Sequence, residues 1–271
     1  MKTDKAIHRI TELEDEASLN TWVHRLNPLA KLLVTAAFLG LTVSVGRYNL
    51  SGVIIMCIYP FAVFAMSLVS FSHCIRRIWI AIPVLALFGI ANIFMDREIA
   101  VSIGGIHVSY GALSFLVLIF KGMLTVTACY LLVATTGIEN ICHGLAMLHV
   151  PGIIITLILL TYRYMSLLVG QAGDIFRAYS LRAPGQKGIN IKACGPLLGQ
   201  LLIRTADRAE AVYDSMLIRG YNGSFPLRGS SGKIYSGVLW TVLWIGILII
   251  LRFGNITDLI GNMILAIFGG N

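Results

Sequence analysis

The sequence predicts an all-α fold, a polytopic membrane bundle of about five transmembrane helices that carries long amphipathic helices in the cytoplasm. Three observations predict it. Of the 271 residues, 57% are hydrophobic and only 13% are charged, which is more apolar than the core of a soluble domain requires. Six runs approach the roughly 20 apolar residues that cross a bilayer. Basic residues concentrate in one long stretch in the second half of the chain.

The apolar runs define the predicted helices. They span residues 29–45, 50–71, 78–95, 108–137, 150–170 and 235–251. The first and last are short, but Lys31 and Arg252 can extend their charged ends to the membrane surface, and Tyr235, Trp240 and Trp244 are suitable interfacial anchors for the last. The apolar tail, residues 256–268, is too short to cross comfortably, so an interfacial position and packing on the bundle both stay open.

The distribution of positive charge predicts the orientation, because cytoplasmic loops collect Lys and Arg. Nine lie between residues 163 and 228: Arg163, Arg177, Arg182, Lys187, Lys192, Arg204, Arg208, Arg219 and Arg228. Arg76 and Arg77 mark a second cytoplasmic loop. The runs 78–95 and 108–137 already supply two crossings between these loops, so we expect run 150–170 to lie slanted or shallow at the inner leaflet and to continue as a helix into the cytoplasm.

This topology divides the chain into four regions. Residues 1–25 form a cytoplasmic N-terminal lead, 26–137 a bundle of four spans, 138–230 a cytoplasmic or inner-leaflet helical region, and 231–271 the last span and tail. The lead has no apolar h-region and carries an acidic cluster (Glu12, Glu14, Asp15 and Glu16), so it is not expected to be a cleavable signal peptide. We expect a multi-pass protein of the inner, cytoplasmic membrane with its N-terminus inside.

The segment 196–219 is predicted to be a strongly amphipathic helix lying along a surface. Its charged face carries Arg204, Asp207, Arg208, Glu210 and Asp214, and Gly220 follows as a natural helix stop. An earlier helix is predicted to end near Arg182, because Pro184 and Gly185 follow it. Each helix therefore ends in an arginine. The helix dipole alone favours a cation there by up to about 1 kcal/mol, so this position does not by itself require a partner.

Several functional classes lack their signatures. The sequence contains no HExxH, GxSxG, Walker A or paired-aspartate motif, which leaves no catalytic residues to assign. The six histidines and five cysteines lack metal-ligand or disulfide spacing, so we predict no metal site and no cofactor. The net charge of +8 comes without a run of five like charges, which argues against nucleic acid as a partner. Lys121 interrupts a predicted span and needs a partner, a watery cavity or a tilted helix that lets it reach the interface.

In the ends of the two arginine-tipped helices and in two further segments, the sequence resembles a family, the transmembrane (T) components of energy-coupling-factor transporters. The stretch 207–221, DRAEAVYDSMLIRGY, is similar to the second of the family's two Ala-Arg-Gly signatures, and 180–183, SLRA, is similar to the first. Ala183 stands where Gly is expected, and Ile218 where the second motif has Ala. Further matches are HRLNPLAKL at 24–32, with Asn27 in place of Asp, and TYRY at 161–164.

The resemblance implies a subunit, itself not an enzyme, that joins a pair of ATP-binding-cassette ATPases to a small substrate-capturing membrane (S) subunit within the lipid bilayer. It assigns ATPase coupling to Arg182, Ala183, Arg219 and Gly220, with Arg163, Arg208 and Glu210 as supporting residues. The N-terminal lead and the TYRY segment are most similar to the cobalt/nickel-type branch. A vitamin-type importer, a stand-alone secondary transporter and an intramembrane enzyme are the alternatives. Substrate identity stays open, since selection belongs to another subunit in this family.

Overall fold

The computed structural model describes residues 21–67, 69, 71–95, 99–103, 106–182, 190–223 and 234–253. Helices dominate these residues, which confirms the predicted all-α membrane bundle. They are α1 (Pro28–Ser44), α2 (Leu50–Met56), α3 (Ile58–Ser67), α4 (Phe71–Met95), α5 (Tyr110–Thr136), α6 (Ile138–Met147), α7 (Gly152–Arg182), α8 (Ile191–Ile218) and α9 (Ile234–Phe253). A short antiparallel hairpin of β1 (Ile99–Ile103) and β2 (Ile106–Ser109) lies between α4 and α5.

The predicted helices are present, and they differ from the prediction at four places. Helix α4 begins at Phe71, seven residues before the predicted run 78–95, so Arg76 and Arg77 lie inside a helix and not in a loop as predicted. The run 50–71 forms two helices that meet at Cys57, because Pro60 has no N–H to continue the α-helical bonding and the Cys57 N–H instead bonds the Ile54 carbonyl at 3.0 Å. Residue 108 belongs to β2 and not to the following helix. Helix α8 begins at Ile191, before Pro196, because the Asn190 side chain accepts a hydrogen bond from the Lys192 N–H and caps it.

Among the described residues, four helical segments are long and apolar enough to cross a membrane: Leu50–Ser67, Ser72–Asn92, Tyr110–Thr136 and Gly152–Arg182. Two shorter apolar helices are Pro28–Ser44 and Ser236–Arg252. The run 150–170 does continue into a longer helix, α7. The length and composition of α7 would suit a crossing, so its slanted position at the inner leaflet, the count of five spans and the four-region division stay predictions. The tail, residues 256–268, and the N-terminal lead up to residue 20 lie outside the described residues.

Two compact units divide the described residues. The bundle unit holds residues 21–137 and 234–253, and the long-helix unit holds residues 138–182 and 190–223. In the bundle unit α5 is the central element, since α1, α2, α3 and α4 all contact it, while α9 packs on α1. In the long-helix unit α7 contacts both α6 and α8.

Aromatic side chains fill the core between α1, α3 and α9. Tyr59 contacts the ring of Phe38 at 4.6 Å between centroids and the ring of Trp244 at 5.2 Å. Trp244 in turn meets Trp240 edge-on at 5.5 Å. Both tryptophans are buried among the core residues. They therefore pack the inside of the bundle, and the prediction that they act as interfacial anchors is wrong.

Basic side chains of the bundle unit bind backbone carbonyls at helix C-terminal ends. Lys121 of α5 donates to the carbonyls of Val43 and Val45, and Arg252 donates to the carbonyl of Ser44 at 3.0 Å. These carbonyls lie at the C-terminal end of α1. The carbonyls of a last helical turn have no intrahelical donors, and the helix dipole makes that end negative. Lys121 thus has a direct partner. At the opposite end of α1, Lys31 is only 5% exposed and is not extended to the membrane surface as predicted.

Candidate functional site

The long-helix unit presents the two helices that the sequence singles out. Helix α7 has 31 residues and α8 has 28, so at 1.5 Å per residue they measure about 46 Å and about 42 Å. Residues 183–190 connect the end of α7 to the start of α8. Arg219, at the other end of α8, lies a whole helix length from that connection.

Arg219 is held at the end of α8 by a Schellman motif. The Gly220 N–H bonds the Leu217 carbonyl at 2.9 Å and the Tyr221 N–H bonds the Met216 carbonyl at 3.0 Å. Gly220 adopts the left-handed conformation that this motif needs, with φ of +83°. Arg219 is the C-cap residue and its side chain is exposed. Gly220, which the sequence predicts to be a helix stop, therefore fixes the direction in which the chain leaves Arg219.

Arg182 is the last residue of α7 and is also exposed. Ala183, the residue that departs from the family signature, lies outside the described residues. The neighbouring Leu181 is 82% exposed, and Ile218, next to Arg219, is 88% exposed. Each arginine thus lies beside an exposed apolar side chain, and arginine is one of the residues that are enriched at protein interfaces.

A groove of about 510 Å³ runs between α7 and α8. Its walls are mainly apolar: Ile153, Leu157, Leu160, Leu167 and Leu168 on α7, and Ala209, Val212 and Met216 on α8. Hydroxyl groups of Thr161, Tyr164, Thr205, Tyr213 and Tyr221 interrupt them. Two residues of the TYRY segment, Thr161 and Tyr164, therefore line this groove. Sequence periodicity did not predict the groove, because its other wall belongs to a different helix.

The supporting candidates are divided between the two long helices. Arg208 lines the groove on α8, Glu210 is exposed beside it, and Arg163 is exposed on α7. Helix α8 has no buried residue in its whole length. Even its leucines are exposed, Leu198 to 56% and Leu202 to 69%. Exposed leucines on a helix of this length indicate a surface that another apolar element or the lipid covers. No group of three or more metal-ligating side chains occurs within the part of the chain that the structure describes.

Replacing Gly220 by alanine should loosen the last turn of α8. An L-residue in the left-handed conformation costs about 1 to 2 kcal/mol, which offsets the hydrogen bonds of the Schellman motif. Amide hydrogen exchange of residues 215–219 should therefore be faster in Gly220→Ala than in the wild type. Gly199→Ala is the control, because Gly199 lies inside the same helix with no atom within 4 Å of the added methyl group. Equal exchange in the two variants would contradict this account of the helix end.

Comparison with known proteins places the chain in a family. The model of the family described as "CbiQ: Cobalt transport protein" matches residues 19–230. An uncharacterized protein of Methanocaldococcus jannaschii is 30% identical over 161 residues, which cover 55% of this chain and 54% of that protein, so the aligned region spans about half of the relative. The energy-coupling factor transporter transmembrane protein EcfT of Thermosediminibacter oceani is 25% identical over 219 residues, 75% of this chain and 82% of EcfT.

A putative fused cobalt transport protein, CbiMQ, of Methanocorpusculum labreanum is 31% identical over 106 residues, 39% of this chain and 18% of that protein. The family match covers residues 21–137 of the bundle unit, the TYRY segment and both arginine-tipped helices, and so includes every segment on which the resemblance rested. The chain belongs to the CbiQ family of cobalt transport proteins and is an energy-coupling factor transporter T component of the CbiQ/EcfT type.

Proposed function

We propose that this T component couples a pair of ATP-binding-cassette ATPases to a substrate-capturing membrane subunit, in an importer for cobalt or nickel ions in the cytoplasmic membrane. The observation that carries the proposal is an exposed arginine at the C-terminal end of each of two long helices, Arg182 on α7 and Arg219 on α8. The basic stretch around them supports a cytoplasmic position, and hence a cytoplasmic N-terminus with the predicted count of spans.

The chemistry of the two arginines suits docking to an acidic surface. A guanidinium is permanently charged and planar, and it binds a carboxylate through two parallel hydrogen bonds, which a lysine does not do. Two such tips, one on each long helix, suit two ATPase subunits, one for each arginine. Gly220 and Ala183 would set the backbone beside each tip, and Arg163, Arg208 and Glu210 would support the surface from the helix sides.

The apolar side chains of α8 suit the substrate-capturing subunit. Leu198, Leu202 and Leu217 are about half exposed or more. A stiff helix that carries an ATPase contact at one end and an apolar face along its length can pass a movement of the ATPases to whatever packs on that face. The chain itself then performs no chemistry, and ATP hydrolysis belongs to the partners.

A vitamin-type importer is the second candidate, favoured by the similarity to EcfT over 82% of that protein's length. The cobalt/nickel assignment rests on the family description and on the CbiMQ relative.

Affinity purification of the tagged chain in mild detergent tests the proposal. We expect two ATP-binding-cassette subunits and a small membrane protein to be retained, and the complex in vesicles to accumulate Co²⁺ only when ATP is supplied. Accumulation of a vitamin in place of Co²⁺ would favour the second candidate. A chain that is purified without any ATPase, or that moves a solute alone, would contradict the coupling function.

A further inference from the structure

Lys31 occupies an unusual position for a lysine. It lies in the first turns of α1 and is 5% exposed, so its side chain is enclosed by the bundle unit. Its ammonium group donates to the Thr135 carbonyl at 2.8 Å and to the His24 carbonyl at 3.3 Å. The described residues of the bundle unit contain no Asp or Glu, so these carbonyls take the place of an acidic partner.

The Thr135 carbonyl belongs to the last turn of α5, which ends at Thr136. Carbonyls in a last turn have no intrahelical donor, and the helix dipole makes that end negative, so a buried ammonium group is well placed there. The hydroxyl of Thr135 bonds back to the Leu131 carbonyl at 2.7 Å. Lys31 therefore fastens the beginning of α1 to the end of α5.

The end of α5 is also the place where the chain leaves the bundle unit. Gly137 follows α5 with φ of +73°, and α6, the first helix of the long-helix unit, begins at Ile138. A glycine in the left-handed conformation between two helices is a natural hinge, since it can change its dihedral angles at low cost. Whether a movement on one side of Gly137 reaches the other depends on how firmly the two flanking ends are held.

We propose that Lys31 is a positioning residue for coupling: it holds the end of α5 so that displacement of the long-helix unit is transmitted into the bundle and not absorbed at Gly137. The proposal rests on the coupling function proposed above. A purely structural role for Lys31 would affect how much protein folds, whereas a positioning role affects what the folded complex does when nucleotide binds.

Lys121 provides a matched control, because it makes the same kind of interaction at the other end of α1. Its ammonium group also donates to two carbonyls at a helix C-terminal end, those of Val43 and Val45. It lies in the middle of α5 and not beside Gly137. Lys31→Met and Lys121→Met therefore remove similar contacts, and only the first removes one at the junction.

The experiment uses the complete complex with its ATPases, reconstituted in vesicles after the five native cysteines have been replaced. Spin labels are attached at two exposed positions, Ala36 on α1 and Gln200 on α8, and the distance between them is measured with ADP and with a non-hydrolysable ATP analogue. We expect the distance to shift between the two nucleotides in the wild type and in Lys121→Met. In Lys31→Met the shift should be lost, while ATP hydrolysis continues.

A shift of wild-type size in Lys31→Met would overturn the proposal. Lys31→Gln serves as a second variant if Lys31→Met does not assemble, because glutamine keeps a donor but is one bond too short to reach both carbonyls; the same loss is expected. Failure of both variants to assemble would assign Lys31 to folding alone and also overturn the proposal. A wild-type complex that shows no shift would instead contradict the coupling function itself, so the two failures are distinguishable.

Discussion

Replacing Arg182 and Arg219 together by alanine is expected to abolish retention of the ATPase subunits while leaving insertion of the chain into the membrane unchanged. Both side chains are exposed at helix ends, so their removal leaves no cavity and no unsatisfied buried group in the chain itself. Truncating one partner of a charged pair that is buried in an interface costs about 2 to 5 kcal/mol, so two such losses should weaken association by about a thousandfold or more. Affinity purification followed by quantification of the retained ATPase measures the effect.

Two controls separate docking from charge. Lys192→Ala plus Arg204→Ala removes two other exposed cations from α8, away from its C-terminal end, and should leave retention near the wild-type level. Arg182→Lys plus Arg219→Lys keeps the charge but loses the paired hydrogen bonds of a guanidinium, so an intermediate loss is expected. ATPase retention at the wild-type level in the double alanine variant would refute the docking role.

The helices of this protein could be predicted from sequence because each depends on a local pattern. Apolar runs predicted α1, α4, α5 and α9, and Pro184 and Gly220 predicted that helices end near Arg182 and Arg219. The start of α8 was missed because apolar periodicity begins after Pro196, whereas the actual helix start depends on the Asn190 cap. A periodicity argument places the face of a helix better than it places the helix end.

The bonding partners of Lys31 and Arg252 could not be predicted in the same way. Lys31 and Arg252 were expected to reach the membrane surface, since a lysine or arginine near the end of an apolar run usually does so. In the structure they bind the carbonyls of Thr135 and Ser44, which are 104 and 208 residues away in sequence. A backbone carbonyl has no sequence signature, so only the fold reveals that a helix end is available as the partner. The α7–α8 groove was missed for a similar reason.

Helices α4 and α5 approach each other through two glycines, and this contact should be the most sensitive to substitution. A Cβ atom added at Gly122 of α5 would lie within 3.0 Å of three atoms of Leu85 on α4. One added at Gly89 of α4 would lie 2.5 Å and 2.9 Å from two ring atoms of Phe115 on α5. Each helix therefore places a large side chain against a glycine of the other, the small-residue packing that lets membrane helices come close.

Gly122→Leu should force α4 and α5 apart, because a well-packed core loses about 1 to 3 kcal/mol for added methylenes and the new side chain would meet Leu85 directly. The expected result is a clear fall in the midpoint of thermal unfolding in detergent. Size-exclusion chromatography measures how much folded protein remains at each temperature. Gly40→Leu is the control, since nothing lies within 4 Å of the position where its Cβ would be added on α1. Equal midpoints in the two variants would show that α4 and α5 do not make this contact.

Compensation supplies the stricter test of the same packing. If Gly122→Ala destabilises the chain by meeting Leu85, then Leu85→Ala in the same molecule should recover part of the loss, although Leu85→Ala alone removes apolar contacts and should itself be destabilising. The two substitutions are in direct contact, so their effects should be non-additive, with an interaction energy of about 0.5 to 3 kcal/mol. Simple additivity would mean that each residue acts through other neighbours. Recovery would show that this one pair of side chains sets the approach of α4 to α5. If the first substitution only loosened the bundle in general, truncating a second core residue would lower the stability further.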